Sequence, residues 1–188
     1  VKVKKMSFNV LYIDPPYAYN NKNTGRNMRS GAASKYQTYS IDLLKNINIS
    51  NVCDKNSVLF LWATVPLILY AFELMKCWEF KYKTMLTWRK IPSLGMGYWF
   101  RGQTEHLLVG IKGNIKAFRC QKCNFIQSKV SKHSEKPEEF RELIELSTNK
   151  IENRQMLELF ATKKVENWTS IGRDIDGTDV FEFCNNYK

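Results

Sequence analysis

The sequence predicts an α/β domain built on a mostly parallel β-sheet. Short apolar runs that are typical of buried strands alternate along the chain with segments whose apolar residues recur at helical spacing. With 188 residues, the chain is long enough for one domain with a substantial core. We therefore expect a single domain over residues 1–188, with its core between about residues 8 and 177. The predicted strands are Val10–Ile13, Val58–Trp62, Phe80–Trp88, Leu107–Ile111, Met156–Phe160 and Trp168–Gly172.

Three helices are predicted between these strands. Ser40 is suited to cap a short first helix, with Asp42 placed favourably in its first turn. Pro66 suits the start of a second helix, and Ser134 and Pro137 open a third, which has two glutamates in its first turn. The residues that recur at helical spacing are Leu67, Tyr70, Ala71, Leu74 and Met75 in the second helix, and Phe140, Leu143 and Ile144 in the third.

One tetrapeptide, Asp14-Pro15-Pro16-Tyr17, directly follows the first predicted strand. Consecutive prolines remove two backbone donors and fix φ, so they hold their carbonyl groups rigidly. The Asp14 carboxylate and the Pro15 carbonyl can together accept both hydrogens of an exocyclic amino group, and Tyr17 offers a face on which an extruded base stacks. Asp-Pro-Pro also occurs in ordinary turns, so a base-binding corner and a plain turn are both open interpretations of the tetrapeptide alone.

In an open parallel sheet, ligands bind outside the carboxyl ends of the strands. The tetrapeptide would lie at that edge, and so would the residues that follow Phe160 and Gly172. This arrangement places a candidate substrate site beside a candidate cofactor site. An acid at such a strand end commonly holds ribose hydroxyls, although Asp174 also suits a turn. The polar segment Asn20–Ser34 is predicted to form a loop over the site.

The formal net charge of +11 indicates an anionic partner, most simply nucleic acid. The basic residues are interleaved with aromatic residues or glycines, a pattern that suits phosphates and stacked bases. Solvated basic loops are the alternative interpretation. The basic segments are Lys22–Lys35, Lys81–Arg101 and Lys112–Lys132.

Cysteine usage and hydropathy exclude two further classes of protein. The chain has five cysteines, and its one CxxC pair, Cys120 and Cys123, has only His133 nearby, which makes an incomplete metal site. We predict surface thiols and no metal. The longest apolar stretches, Val58–Ala63 and Pro66–Leu74, are too short to cross a bilayer, so we expect a cytoplasmic protein without membrane contact.

Seven blocks of sequence follow one another along the chain: Asp14–Tyr17, Tyr36–Ser40, Leu59–Thr64, Glu105–Gly110, His133–Pro137, Leu157–Ala161 and Asn167–Gly172. In this order they resemble the MT-A family of adenine methyltransferases, to which the catalytic subunit of the eukaryotic messenger-RNA adenosine methyltransferase belongs. The resemblance implies a Rossmann-like methyltransferase fold with helices on both faces of the sheet, in which the catalytic motif precedes the cofactor motif. It also implies S-adenosylmethionine as the cofactor.

The resemblance assigns roles to residues of this chain. It implies that Lys136 meets the methionine carboxylate of the cofactor and that the tetrapeptide carries catalysis. The implied catalytic residues are Asp14, Pro15, Pro16 and Tyr17, the implied cofactor-binding residues are Lys136, Phe160, Thr162, Asn167, Arg173 and Asp174, and the implied target-binding residues are Tyr19, Tyr36, Lys90, Trp99, Arg101 and Glu105.

The chain departs from the family pattern at the ribose end of the cofactor site. Thr162 stands where the family usually has an arginine, and Arg173-Asp174 replaces an asparagine followed by Glu or Gln. The methionine end and the tetrapeptide match. The contacts to the ribose are therefore the part of the site that the resemblance defines least.

We expect methyl transfer to the exocyclic N6 amine of a flipped-out adenine in DNA. The short chain resembles the phage and bacterial branch of the family, which favours DNA and the cytoplasm of a bacterium or a phage-infected host. The alternatives are the same reaction on RNA, an inactive nucleic-acid-binding partner subunit, and a plain nucleic-acid-binding module. The intact tetrapeptide favours the enzyme. A homodimer or a heteromeric partner subunit is a further expectation.

Overall fold

Seven strands form one sheet in the described part of the chain. The structure is a computed structural model, and it describes residues 6–18, 37–92, 95, 97, 99–115, 120–130 and 135–187. The strands are β1 (Phe8–Ile13), β2 (Cys53–Thr64), β3 (Lys81–Ile91), β4 (Thr104–Lys112), β5 (Phe125–Lys129), β6 (Met156–Leu159) and β7 (Trp168–Ile171). The helices are α1 (Ile41–Lys45), α2 (Ile49–Val52), α3 (Ile68–Cys77), α4 (Glu138–Thr148), α5 (Arg173–Asp176) and α6 (Val180–Asn186), and a 3₁₀ turn at Val65–Leu67 precedes α3.

The order of the strands is β5-β3-β4-β2-β1-β6-β7. Strand β1 pairs in parallel with β2 and β6, β6 pairs in parallel with β7, and β3 pairs in parallel with β5. Strand β4 pairs antiparallel with both β2 and β3, so it alone among the described strands runs in the opposite direction. The prediction of a mostly parallel α/β sheet is confirmed.

Helices cover both faces of the sheet, as predicted. Successive side chains of a strand point to opposite faces, and β1 divides its apolar residues accordingly. Leu11 and Ile13 belong to the core that α1, α3 and α6 complete. Val10 and Tyr12 belong to the second core, against which α4 packs Phe140 and other apolar side chains. Both faces of the central strands are therefore buried.

Several predicted boundaries are also observed. The Ser40 side chain accepts a hydrogen bond from the Leu43 N–H (3.3 Å) and caps α1. Pro66 lies in the 3₁₀ turn that leads into α3. Pro137 caps α4, where Phe140 and Ile144 are buried.

Four elements, α2, β5, α5 and α6, were not predicted from the sequence. Strand β5 was not predicted, because its side chains alternate between exposed and half-buried at the edge of the sheet and form no apolar run. Helices α5 and α6 were not predicted either, and α6 places Val180 and Cys184 in the core. The core thus includes residues beyond 177, and the single-domain assignment stays a prediction. No helix among the described residues has the length and apolar character that a bilayer crossing requires.

One edge of the sheet collects the functional candidates. The carboxyl ends of β1, β2, β6 and β7 meet at this edge because the four strands run in the same direction. The antiparallel strand β4 begins at the same edge, since Glu105 pairs with Thr64 at the end of β2. Glu105 also lies opposite Trp88 near the end of β3. Residues far apart in sequence are in this way brought to a common site.

Candidate active site

The tetrapeptide forms a hydrogen-bonded corner directly after β1. The Tyr17 N–H donates to the Pro15 carbonyl (2.9 Å), and the Tyr39 N–H donates to the Pro16 carbonyl (2.8 Å). The Ala18 N–H in turn donates to the Tyr39 carbonyl (2.8 Å). The Pro15 carbonyl is therefore already an acceptor within the corner, and its second lone pair is the one that a ligand amino group would use.

Tyr17 anchors this corner to the neighbouring strand. Its side chain is buried, with 8% of its surface exposed, and its hydroxyl donates to the Trp62 carbonyl (3.1 Å). The Trp62 indole N–H donates to the Tyr12 hydroxyl (2.8 Å) on the opposite face of the sheet. Little of the Tyr17 ring is open to a base in this arrangement, so its stacking role stays a prediction, and the observed role is structural.

A charge chain of alternating sign connects the corner to β4 and β3, and its members are Asp14, Lys136, Glu105 and Lys90. The Lys136 ammonium lies 2.5 Å from Asp14 Oδ2 and 3.5 Å from Glu105 Oε2. Glu105 also pairs with Lys90. The Lys136 ammonium lies 5.2 Å from the centre of the Trp62 ring, a cation–π distance. Two carboxylates and two ammonium groups thus balance each other at the edge of the sheet.

Lys136 and Glu105 are mostly buried and Asp14 is half-buried, and this position changes their proton affinities. Burial raises the pKa of Asp14 above its ordinary value, although Lys136 opposes the rise. Burial would also raise the pKa of Glu105, but Lys136 and Lys90 hold it below its usual range. Burial favours neutral Lys136, yet Asp14 and Glu105 raise its pKa above the ordinary lysine value. Lys136 is therefore a cation throughout the neutral range, and Asp14 gains a proton at a higher pH than an ordinary aspartate does.

The ends of β6 and β7 form the candidate cofactor side. Phe160 and Asn167 both adopt left-handed backbone conformations, with φ of 61° and 63°, which are uncommon outside glycine. A Cβ added to Gly172 would lie 2.1 Å from the Ala161 carbonyl oxygen, so the two strand ends run in close backbone contact. The Ala161 N–H donates to the Ile171 carbonyl (3.0 Å) across this contact. Thr162, Asn167 and Asp174 are exposed beside it.

Arg173 joins three segments at the same edge. Its guanidinium lies 2.6 Å from Asp179 Oδ2 at the start of α6, and it donates to the Gln37 side chain. The Tyr39 ring lies between Phe160 (6.0 Å between ring centres) and Phe181 (5.0 Å). Gln37 and Tyr39, which flank the first helix cap, were not assigned to the site from sequence. Both residues lie within Tyr36–Ser40, one of the seven blocks that resemble the family, and this block was the signal in the sequence that could have pointed to them.

The target-side residues divide into two groups. Lys90 and Glu105 join the charge chain that reaches Asp14. Trp99 and Arg101 lie on the loop between β3 and β4 and are exposed. Tyr19 and Tyr36 lie outside the described residues, as does the whole of the predicted loop Asn20–Ser34.

No cluster of three or more histidine, cysteine or acidic side chains with metal-binding geometry occurs among the described residues. Cys120 is half-buried and Cys123 is exposed, and both are free thiols. His133, the histidine nearest to them in sequence, lies outside the described ranges. The role of this CxxC pair is not defined by its surroundings.

The fold and the site together define an α/β enzyme of the kind that binds its ligands at strand ends. Comparison with known families then identifies it: the MT-A70 family model matches residues 8–174, and the chain belongs to the MT-A70 family of adenine N6 methyltransferases. The ordered blocks of the sequence had predicted this membership. The methyltransferases of this family use S-adenosylmethionine as the methyl donor.

The relatives fall into two groups according to the share of their own length that this chain covers. The Type II methyltransferase M.MunI of Mycoplasma sp is 27% identical over 196 residues, which cover 95% of this chain and 82% of that protein. The human N(6)-adenosine-methyltransferase catalytic subunit METTL3 is 28% identical over 157 residues, covering 78% of this chain and 26% of the subunit. An MT-A70-like N(6)-adenosine-methyltransferase of Arabidopsis thaliana is 26% identical and is covered over 24% of its length. The chain thus spans about a quarter of the eukaryotic relatives.

The residues at the sheet edge fit S-adenosylmethionine. The Lys136 ammonium is the complement of a methionine carboxylate, and the partly buried Phe160 ring offers an apolar face to adenine. The exposed Asn167 and Asp174 side chains can bond ribose hydroxyls. Gly172 lets the two strand ends that carry these residues lie in contact, because a side chain at residue 172 would clash with the Ala161 backbone.

Proposed function

We propose that this chain is an active adenine-N6 methyltransferase that acts on duplex DNA. The observation that carries the proposal is the Asp14 carboxylate at the end of β1, held by Lys136 at 2.5 Å through Oδ2. Within the described residues Lys136 is the hydrogen-bond partner of this carboxylate, so Oδ1 can accept from an incoming amino group. An adenine must leave the base stack to reach such a position.

The corner would prepare the adenine amine as a nucleophile. Asp14 and the Pro15 carbonyl accept its two hydrogens, which raises electron density on nitrogen and orients the lone pair. S-adenosylmethionine supplies an electrophilic methyl group when it is bound. As the nitrogen acquires positive charge, the Asp14 carboxylate stabilises it electrostatically. The rest of the rate enhancement comes from holding the two reactants in line.

The charge chain gives Lys136 two tasks in this proposal. It lies between the corner and the start of α4, so it can bond a cofactor carboxylate while it favours the ionised form of Asp14. Glu105 and Lys90 position Lys136 from the side of β4 and β3. Phe160, Thr162, Asn167, Arg173 and Asp174 are the residues proposed to line the adenosine end.

DNA is proposed over RNA because the similarity to the bacterial Type II methyltransferase extends over 95% of this chain, against 78% for the human adenosine methyltransferase subunit. An inactive partner subunit is the second proposal to be tested, and the intact corner supports the active enzyme against it. Assembly as a homodimer or with a partner subunit, and a location in the cytoplasm, stay predictions.

The direct test is transfer of a labelled methyl group from S-adenosylmethionine to three nucleic acids that lack methylated adenine: duplex DNA, its separated strands and RNA. We expect transfer to duplex DNA. Preferential transfer to RNA would replace the substrate. Absence of transfer to all three, from protein whose fold and cofactor binding are verified, would contradict the enzyme and favour the partner subunit.

As the pH is lowered, the rate of methyl transfer is expected to fall at a higher pH than it would if Asp14 had the pKa of an ordinary aspartate. The raised pKa means that Asp14 is protonated at a pH where most aspartates are ionised, and protonated Asp14 no longer presents a carboxylate to the amine. Transfer is therefore full above the Asp14 pKa and is lost as the pH falls through it. The measurement is kcat/KM for DNA against pH, with the free energy of unfolding followed over the same range. An acid limb at the ordinary aspartate value would contradict the assignment.

A further inference from the structure

The loop between β3 and β4 is braced by contacts within itself. The Gly95 N–H donates to the Gly102 carbonyl (2.8 Å), and the Arg101 Nε–H donates back to the Gly95 carbonyl (2.8 Å). A Cβ at Gly97 would lie 2.2 Å from the Phe100 carbonyl oxygen, so the backbone packs on itself at this point. The described part of the loop is therefore an organised tip.

This tip presents two large aromatic side chains to solvent. Trp99 is 98% exposed and Phe100 is 85% exposed, more than any other large apolar residue in the described part of the chain. Trp99 adopts a left-handed backbone conformation with φ of 65°. Exposed aromatic pairs on an ordered loop are costly to solvate and mark interaction sites.

The base of the hairpin that carries the tip adjoins the catalytic corner. At the base of the hairpin the Lys90 N–H donates to the Gln103 carbonyl (2.8 Å), and the Lys90 and Glu105 side chains belong to the charge chain that ends on Asp14. From Gln103 to Phe100 is three residues, a reach of roughly 10 Å when extended. That length corresponds to about three base steps of a duplex.

The charges around the tip favour nucleic acid as its partner. Arg89 and Arg101 are exposed on the same hairpin, and the chain carries a formal net charge of +11. Aromatic side chains flanked by cations suit stacked bases between phosphates, and the positive net charge favours a polyanion over a protein surface. Apolar wedges that enter the base stack are a recurring device of proteins that deform DNA.

We propose that Trp99 and Phe100 form a wedge that enters the base stack of duplex DNA beside the target adenine. The wedge occupies the space that the extruded base leaves and so holds the duplex open while the adenine lies in the corner. This inference rests on the proposed function, because it assumes that a base is extruded. It makes the two aromatic residues positioning residues for the methyl-transfer reaction.

Trp99 is its own reporter for a first test. The other four tryptophans, Trp62, Trp78, Trp88 and Trp168, are at most 8% exposed, so acrylamide should quench the fluorescence of Trp99 selectively. Addition of duplex DNA without methylated adenine is expected to shield Trp99 from acrylamide. Trp99 that is equally accessible in the saturated DNA complex would overturn the proposal. Trp99 that is already shielded in a protein oligomer without DNA would assign the tip to a protein interface instead and also overturn it.

A second test separates insertion from surface contact. A closed circular plasmid is relaxed by a topoisomerase in the presence of saturating protein, and the linking number is then measured. We expect the wild type to untwist the plasmid and the double variant Trp99→Ala/Phe100→Ala to lose most of that effect. Leu146→Ala, which removes an exposed apolar side chain near the far end of α4, is the matched control and should behave as the wild type. Equal untwisting by the double variant would overturn the wedge.

The double variant should also reduce transfer to duplex DNA about tenfold or more, the loss expected when one stacking contact is removed. Binding of S-adenosylmethionine should be unchanged. If the wild type transfers methyl groups but the double variant is equally active, the wedge is wrong and the proposed function stands. If the wild type transfers none, the proposed function fails, while the quenching and untwisting results still decide whether the tip enters DNA.

Discussion

Replacement of Asp14 by alanine is expected to reduce methyl transfer by about 10²-fold or more while leaving cofactor affinity nearly unchanged. The carboxylate is the group placed to accept from the adenine amine, whereas the candidate cofactor contacts lie on Lys136 and at the ends of β6 and β7. The measurement pairs single-turnover transfer to duplex DNA with equilibrium binding of S-adenosylmethionine to the same variant.

Asp42→Ala is the matched control for the loss of one carboxylate. Asp42 lies in the first turn of α1 with 89% of its side chain exposed, so its removal should leave transfer unchanged. Asp14→Asn adds a nearly isosteric variant, in which the shape of the corner is kept and the charge is lost. If Asp14→Ala kept most of the wild-type rate, the assigned mechanism would be wrong.

Replacement of Glu158 by glutamine is expected to lower the free energy of unfolding by about 3–5 kcal/mol, the usual cost of breaking a buried ion pair from one side. Arg141 on α4 donates to both Glu158 oxygens, at 2.8 and 3.0 Å, and only 7% of the residue is exposed. The Arg141 guanidinium lies 5.3 Å from the ring centres of both Tyr12 and Trp168. Without Glu158, the buried guanidinium would lose its bidentate partner and keep only the half-exposed Glu138 carboxylate, 3.1 Å from its Nε.

Equilibrium denaturation measures this loss, and two further variants bracket it. Asp42→Asn, which breaks the exposed pair with Lys45, should change stability by less than about 1 kcal/mol. The double variant Arg141→Met/Glu158→Leu should be more stable than Glu158→Gln, because it removes both charges together. A loss for Glu158→Gln as small as that of the exposed pair would show that the buried pair does not hold α4 to β6.

The sequence predicted the central strands and the tetrapeptide because these signals are local. An apolar run followed by an acid and two prolines defines the end of β1 without reference to distant residues. Ser40 and Pro66 are also local signals, since capping and proline geometry depend on a few neighbouring residues. Edge strand β5 gave no such signal, because it is held by pairing with β3 from Thr87 to Ile91.

The sequence did not predict which side chains pair with one another. Lys136 and Asp14 are 122 residues apart, and their pairing depends on α4 starting at the edge where β1 ends. Glu158 matched a family block, but its partner Arg141 had no sequence signal, because a buried arginine is unusual. The burial of Tyr17 against Trp62 was not predicted for the same reason, because it follows from the contact between β1 and β2, which are distant in sequence.

The shared edge of the sheet also explains why the substrate and cofactor assignments belong together. The corner after β1 and the residues after β6 lie beside each other, since the two strands pair in register from Val10 and Met156 onward. A methyl donor at the ends of β6 and β7 would therefore face a base held at Asp14. Transfer between two ligands requires this proximity.

The central claim is tested most directly by the identity of the methylated nucleoside. Duplex DNA without methylated adenine is incubated with the protein and methyl-labelled S-adenosylmethionine, digested to nucleosides and analysed by mass spectrometry. We expect labelled N6-methyldeoxyadenosine with the wild type and a loss of about 10²-fold or more with Asp14→Ala. Label on another base or another atom of adenine, or equal label with Asp14→Ala, would contradict the central claim.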